Sequence, residues 1–172
     1  MRRMQLMTVA SLLTATLAVG WAYAQGGDAG RLTAQDYAEI QQLYSRYAQG
    51  TDLEDADMWL SVFAEDAVFR IGASGRSAAL PAGEYVGHAE LAEWRAQSFA
   101  GRDAGRQNRH WNSSWVITPT GDGTAEGRNY WLELDVKDDE AKIVSTGYYE
   151  DLYVKTADGW RIKQRHARPD PQ

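Results

Sequence analysis

The second half of this chain consists of consecutive strand-like segments joined by short turns, and this pattern constrains the fold more than any other feature. The segments are rich in Trp, Tyr, Val and Ile and cover Arg109 to Thr118, Ala125 to Val136, Lys142 to Lys155 and Trp160 to Arg168. Turn sequences such as Gly121-Asp122-Gly123 and Ala157-Asp158-Gly159 lie between them. Because strands with such short connections pair antiparallel, the pattern predicts a meander.

The first half of the chain shows helical periodicity instead. Thr33 and Asp36 match an N-terminal capping box, and apolar residues then recur at helical spacing, which predicts a first helix over Thr33–Gln49 that Gly50 ends. The segments that follow are a helix over Asp55–Phe63, a strand over Ala67–Ile71, a flexible loop over Gly72–Gly83 and a helix over His88–Phe99. We therefore expect an α+β fold with three N-terminal helices on a strongly curved, mostly antiparallel sheet. Such a sheet forms a cone whose open mouth suits a small apolar ligand.

The N-terminal segment has the features of a secretory signal peptide. Arg2 and Arg3 precede an uncharged run, and Ala22-Tyr23-Ala24 has the small-x-small pattern of a cleavage site. We expect cleavage after Ala24, a periplasmic or secreted mature chain, and no stable association with the membrane. An uncleaved anchor is the alternative, because the uncharged run is nearly long enough to span a bilayer.

Composition narrows the remaining possibilities. About 148 residues remain once residues 1–24 are removed, which suits one domain over residues 25–172. The chain has no cysteine, and its formal charge of −6 becomes −8 without Arg2 and Arg3, which argues against nucleic acid as a partner. Its three histidines lie far apart and no phosphate-binding loop is present, so we expect neither a metal nor a cofactor.

Tyr47, Asp52 and His110 are the strongest candidates for chemistry. Tyr47 and Asp52 lie five residues apart near the end of the first predicted helix, and His110 opens a strand. A histidine beside a carboxylate and a phenol can move a proton at neutral pH without a metal or cofactor. The ordinary alternative is that His110 is a buried core histidine and Asp52 a turn residue.

Four short segments also occur in a recognisable order. They are Ile40…Tyr47…Asp52, Phe63-Ala-Glu-Asp-Ala67, Arg109-His110, and Gly147-Tyr-Tyr-Glu-Asp151 with Asp158-Gly-Trp-Arg-Ile162. This order resembles the nuclear transport factor 2-like superfamily, specifically its SnoaL-like branch, over nearly all of residues 25–172. The resemblance implies a small-molecule pocket inside the cone. The family contains cofactor-free dehydratases, isomerases, dehydrohalogenases and cyclases, and also members that only bind or dimerise.

The resemblance also implies roles for individual residues. Bile-acid dehydratases of the family use a Tyr, an Asp five residues later and a His on a middle strand, which map onto Tyr47, Asp52 and His110. A dehydrohalogenase has Lys at the Tyr position and adds an Arg that maps onto Arg165. Scytalone dehydratase is similar at Arg109-His110, but its second catalytic His has no counterpart here. These roles make His110 the base, Asp52 its partner and Tyr47 the polarising acid.

Strand alternation assigns faces to the other candidates. Counting from Trp160 places His166 on the inner face, near the mouth of the cone, and Arg165 outside unless a bulge turns it inward. The same alternation adds four residues that can line the pocket or be ordinary sheet and core residues: Asn112, Ser114, Asn129 and Trp131.

The sequence as a whole predicts an exported, cofactor-independent lyase or isomerase. We expect it to abstract a proton from a small cyclic hydrophobic substrate that is steroid-like, polyketide or aromatic. The alternative is a non-catalytic protein of the same fold that binds a small molecule or serves in dimerisation. The expected partners are a small hydrophobic molecule and further copies of the chain, in a homodimer or homotrimer.

Overall fold

A computed structural model describes residues 30–72, 82–102, 105–121 and 123–171. The predicted signal peptide, the mature start near Gln25 and most of the predicted loop Gly72–Gly83 lie outside the described residues. The helices are α1 (Ala34–Asp52), α2 (Ala56–Leu60) and α3 (Gly87–Ala100). The strands are β1 (Phe63–Ile71), β2 (Gly83–Val86), β3 (Gln107–Gly121), β4 (Thr124–Lys137), β5 (Glu140–Thr156) and β6 (Gly159–Pro169). None of the described helices is both long and apolar enough to cross a membrane.

The strands form one six-stranded sheet in the order β2-β1-β6-β5-β4-β3. All neighbours pair antiparallel except β1 and β6, which run parallel. The predicted α+β class and the predicted meander are confirmed. The predicted order of two helices, a strand and a third helix is present, but the three helices are not all N-terminal, because α3 follows β1 and β2.

Two element boundaries near β1 also differ from the prediction. Helix α2 ends at Leu60, and Phe63 begins β1, where it pairs with Ile162 of β6. The edge strand β2 lies at the end of the predicted loop and pairs with β1. A strand of four residues covers only two repeats of a period-two pattern, and such a short repeat does not distinguish a strand from a loop.

Helix α1 carries several residues of the candidate site. Its predicted capping box is present, since Thr33 Oγ1 accepts from Asp36 N at 3.1 Å and Asp36 Oδ2 accepts from Thr33 N at 2.8 Å. The sequence predicted that Gly50 ends the helix, whereas the helix continues to Asp52. A Cβ atom at Gly50 would lie 2.6 Å from the backbone nitrogen of Trp59, so glycine here allows α2 to pack against α1.

The core lies between the helices and the sheet face that they cover, and aromatic rings dominate it. The ring of Trp59 lies 4.8 Å from that of Phe63 and 5.8 Å from that of Trp94, centroid to centroid. Helix α1 adds a buried stripe of Ile40, Leu43, Tyr44 and Tyr47. Each large apolar side chain that is fully buried contributes about 1.5–3 kcal/mol, so this cluster stabilises a chain that has no disulfide.

Candidate active site

The C-terminal end of α1 meets the start of β3 at Asp52 and His110. Gln107 joins the two elements by donating from Nε2 to the Asp52 carbonyl at 2.8 Å. The Asp52 carboxylate contacts His110 twice: Oδ2 accepts from the backbone N at 2.8 Å, and Oδ1 lies 2.5 Å from the ring Nδ1. The side chains of His110 and Asp52 are 11% and 7% exposed. The structure therefore brings these two predicted residues into direct, buried contact.

This contact fixes the orientation of the imidazole ring of His110. An ionised carboxylate only accepts hydrogen bonds, so Nδ1 carries the proton and Nε2 keeps its lone pair when the ring is neutral. Nε2 makes no hydrogen bond to the part of the chain that the structure describes, and His110 lines an interior cavity. The arrangement can accept a proton from a bound molecule, and Asp52 can stabilise the cation that results.

The interior cavity lies between α1, α3 and the sheet and has a volume of about 220 Å³. Its aromatic walls include Tyr47, Phe69, Trp94, Trp131 and Tyr149. In another protein a cavity of about 150 Å³ holds benzene, so this one has the size of a molecule with one or two rings. Within the described residues, no group of three His, Asp or Glu side chains is placed to hold a metal ion.

Tyr47 reaches this cavity from α1, and Tyr149 reaches it from β5. Their ring centroids are 5.6 Å apart, and the rings meet edge to face. Burial raises the pKa of Tyr149 well above its usual value, and the neighbouring Tyr47 adds to the increase. The Tyr149 phenol is therefore protonated at neutral pH and available as a hydrogen-bond donor.

Arg165 lies behind these two phenols and does not line the cavity. Its Nε and Nη2 donate to the two carboxylate oxygens of Asp151 at 2.9 and 2.7 Å, in a forked arrangement. Its guanidinium carbon lies 4.1 Å from the ring centroid of Tyr149 and 4.4 Å from that of Tyr47. Burial alone lowers the pKa of Arg165, but the Asp151 carboxylate outweighs burial and raises that pKa well above its usual value. Arg165 is thus placed to position the phenols rather than to touch a ligand.

The inward position of Arg165 differs from strict alternation because β6 contains a bulge. Lys163 is an extra residue opposite the junction of Leu152 and Tyr153 in β5, and it shifts the alternation by one. Arg165 is consequently fully buried. His166, in contrast to the prediction, lies outside the cavity and borders a groove on the sheet face that the helices leave uncovered.

Of the other four residues that were predicted to line the pocket, one lines the cavity and three lie elsewhere. Trp131 lines the cavity. Asn129 is fully buried and donates from Nδ2 to Asn112 Oδ1 at 3.0 Å, and neither asparagine lines the cavity. Ser114, in contrast to the prediction, is exposed and borders the groove on the uncovered face. It has a φ of 58° and lies at a bulge in β3, where alternation again fails.

Sequence reasoning missed several polar residues that line the cavity, among them Arg95, Asn108 and Glu133. Asn108 lies two residues before His110, and Glu133 lies two residues after Trp131. Because both His110 and Trp131 were predicted to face inward, strand alternation also predicts Asn108 and Glu133 on the inner face. The Asn108 amide donates to the Glu133 carboxylate. Arg95 follows the buried Leu91 by four positions on α3, which is helical spacing, but a charged residue is rarely predicted to be buried.

Comparison with known proteins identifies the family. A family model for the SnoaL-like domain, which is part of the nuclear transport factor 2-like superfamily, matches residues 32–166. The chain therefore belongs to the SnoaL-like family, as the resemblance of the sequence motifs predicted. No curated protein matches the sequence at a significant level.

Several solved structures share this fold. A putative aromatic ring hydroxylase from Novosphingobium aromaticivorans is 27% identical, with a TM-score of 0.65 over 81% of this chain and 92% of its own. ActVI-ORFA from Streptomyces coelicolor is also 27% identical, with a TM-score of 0.64 over 78% of this chain and 96% of its own. A protein of unknown function with a cystatin-like fold from Nostoc punctiforme is 23% identical, with a TM-score of 0.68 over 83% of this chain and 96% of its own. These similarities establish the fold of the chain.

Proposed function

We propose that this SnoaL-like protein is a cofactor-independent lyase or isomerase in which His110 abstracts a proton from a small cyclic substrate. The observation that carries this proposal is the contact of 2.5 Å between His110 Nδ1 and Asp52 Oδ1 beside the interior cavity, which leaves Nε2 free to act as a base. The SnoaL-like family includes polyketide cyclases and isomerases, which is consistent with proton-transfer chemistry in this fold.

In the proposed mechanism, His110 Nε2 takes a proton from a carbon next to a carbonyl group. The imidazolium that forms is stabilised by the Asp52 carboxylate. Tyr47 donates a hydrogen bond to the carbonyl oxygen and stabilises the enolate. If the β-carbon carries a hydroxyl, that hydroxyl receives a proton from the imidazolium or from Tyr47 and leaves as water, which is a lyase reaction. If the substrate instead carries a double bond next to the deprotonated carbon, the dienolate can be protonated at the far end of that double bond, and the reaction is an isomerisation.

The test uses a panel of cyclic ketones with a β-hydroxyl group, from one ring to steroid size, incubated with the mature protein in D₂O. Mass spectrometry reports deuterium at the α-carbon and loss of water in one measurement. We expect at least one compound to react, and His110→Ala to lower its rate by roughly 10²–10⁴-fold, as for removal of a general base. Asp52→Asn is expected to lower the rate as well, because the imidazole can then adopt the other tautomer.

Ser114→Ala is the matched control, since Ser114 lies on the uncovered sheet face and is expected to leave the rate unchanged. Circular dichroism and thermal unfolding of each variant separate loss of chemistry from loss of fold. Turnover by folded His110→Ala at the wild-type rate would show that His110 is not the base. If no compound reacts, a protein that only binds small molecules becomes the better account.

Self-association and export are further parts of the proposal. Val116 and Tyr130 border the groove on the uncovered sheet face and are 66% and 59% exposed, which favours contact with a second copy in a homodimer or homotrimer. A monomer at all concentrations in sedimentation equilibrium would contradict this. Export with cleavage after Ala24 predicts that the protein from the native host has the intact mass of a chain that begins at Gln25. A mass that includes residues 1–24 would contradict it.

A further inference from the structure

Arg95 is a buried cation on the wall of the interior cavity. It is 3% exposed, and its guanidinium carbon lies 4.2 Å from the ring centroid of Trp59 and 4.6 Å from that of Trp94. Its Nη1 contacts Ser98 Oγ at 3.5 Å, whereas its Nε has no hydrogen-bond partner. Among the described residues, no carboxylate forms a hydrogen bond or ion pair with Arg95.

The guanidinium remains charged in this environment. Burial lowers the pKa of Arg95 to about 10, which still leaves the group cationic at neutral pH. A buried cation without a counter-ion is unfavourable, and proteins usually pair such a charge or satisfy all of its donors. The indole rings offset part of this cost through cation–π contact but accept no hydrogen bond in the plane of the guanidinium.

The other charged groups of the cavity already have partners within the described ranges. Three arginines and one glutamate line the cavity, so it carries an excess of positive charge. Arg106 pairs with Asp135 at 2.6 Å, and Arg102 pairs with Glu54 at 3.4 Å and donates to the Thr51 carbonyl at 2.7 Å. Glu133 accepts from the Asn108 amide. Among the described residues, Arg95 is therefore the arginine of this cavity that has no carboxylate partner.

Arg95 also lies close to the groups of the proposed reaction. Arg95 lines the same cavity as Tyr47, Tyr149 and His110. An anionic group bound to the guanidinium would thus hold the rest of a one- or two-ring molecule near the imidazole.

We propose that Arg95 forms an anion subsite and that the ligand of this cavity is a cyclic or aromatic carboxylic acid. The guanidinium lines the cavity without a carboxylate partner among the described residues, and its planar set of N–H donors matches the two oxygens of a carboxylate. The identification of this ligand as the substrate rests on the proposed function, whereas the binding itself does not.

The test compares 2-naphthoate with 2-naphthamide, which share their shape and differ in charge. Isothermal titration calorimetry on the mature protein gives the dissociation constant of each. We expect wild type to bind 2-naphthoate at least ~10-fold more tightly than 2-naphthamide, which corresponds to about 1.4 kcal/mol. Arg95→Met is expected to bind the two compounds within about twofold of each other, because the recognising charge has gone and the apolar contact remains.

Three variants make this comparison specific. Arg106→Met removes a paired cation from the same cavity and should keep the preference for 2-naphthoate, which separates a local contact from the general potential of the cavity. His110→Ala should keep the preference too, which excludes a protonated imidazole as the anion receptor. Arg95→Lys retains the charge but not the fork, so its preference should be weaker than that of wild type, and it replaces Arg95→Met if that variant does not fold.

Several results would overturn the subsite. They are equal affinity of wild type for the two compounds, full preference in folded Arg95→Met, or equal loss of preference in Arg106→Met. Asp103 lies outside the described residues, so it is tested by the variant Asp103→Asn. If this variant prefers 2-naphthoate more strongly than wild type does, Asp103 is the counter-ion of Arg95, and the proposal is overturned. If wild type shows no preference for 2-naphthoate but His110→Ala has a catalytic defect, the subsite alone is refuted. If wild type shows the preference but folded His110→Ala reacts at the wild-type rate, the role of His110 as the base alone is refuted.

Discussion

At the scale of single residues, the Arg165–Asp151 ion pair decides how the phenols of the site are held. Both side chains are completely buried. The Asp151 carboxylate also accepts from the Tyr44 hydroxyl at 2.8 Å and from the Tyr153 hydroxyl at 3.2 Å. Since every oxygen of the carboxylate has a donor, the network tolerates burial as long as all of its members are present.

Arg165→Met is therefore expected to be strongly destabilising, because it leaves the buried Asp151 without its counter-ion. We predict a loss of about 3–5 kcal/mol in the free energy of unfolding, measured by urea denaturation. Arg168→Met is the matched control, since its side chain is 43% exposed and pairs with Glu150. This control should cost about 0–1 kcal/mol, as exposed ion pairs do. Similar small losses in both variants would show that the buried pair does not stabilise the fold.

At the scale of secondary-structure elements, the start of α1 connects the helical layer to the sheet. Asp36 Oδ1 accepts from Lys155 Nζ at 2.6 Å and from Trp160 Nε1 at 2.8 Å, while its other oxygen belongs to the capping box with Thr33. The hydrogen bond to Lys155, followed by those to Trp160 and Thr33, holds the pKa of Asp36 well below its usual value. One carboxylate thus caps a helix and links it to two strands.

This lowered pKa predicts how the stability contribution of Asp36 depends on pH. A carboxylate whose pKa is lower in the folded state stabilises the fold above its unfolded pKa of about 3.9, and the contribution disappears as the pH falls further. Asp36→Asn should therefore lower the free energy of unfolding by about 1.5–3 kcal/mol at pH 7, the range for hydrogen bonds to a charged group. In urea titrations at a series of pH values, this difference should shrink below about pH 4. Asp158→Asn, in an exposed turn, is the control, and a difference for Asp36→Asn that does not change with pH would contradict the account.

The elements also show which features a sequence can and cannot predict. The capping box at Thr33 and the meander follow from local patterns, and both are present in the structure. The bulges at Lys163 and Ser114 do not follow from such patterns, because one extra residue is set by how the strands of a curved sheet align. Gly50 was interpreted as a helix end, whereas its role depends on the approach of Trp59, which only tertiary packing shows.

At the scale of the whole molecule, the fold places an imidazole, two phenols and a guanidinium that has no carboxylate partner among the described residues around one cavity. The residues come from α1, α3, β3 and β5, which are distant in the sequence, so no single motif contains the site. The family resemblance predicted Tyr47, Asp52 and His110 because their order along the chain is distinctive. It could not predict Arg95, since the charge of a cavity depends on which ionic partners the folded chain provides.

The central claim is that Asp52 keeps the proton of the neutral His110 ring on Nδ1, which leaves Nε2 with a lone pair to act as a base. Two-dimensional ¹H–¹⁵N NMR of the histidine side chains measures this directly, with the His110 signals assigned by their loss in His110→Ala. The account predicts that the neutral imidazole of wild type carries its proton on Nδ1, and that Asp52→Asn shifts the population towards the other tautomer. A neutral wild-type ring that carries its proton on Nε2 would contradict the account, because His110 would then have no lone pair to offer a substrate in the cavity.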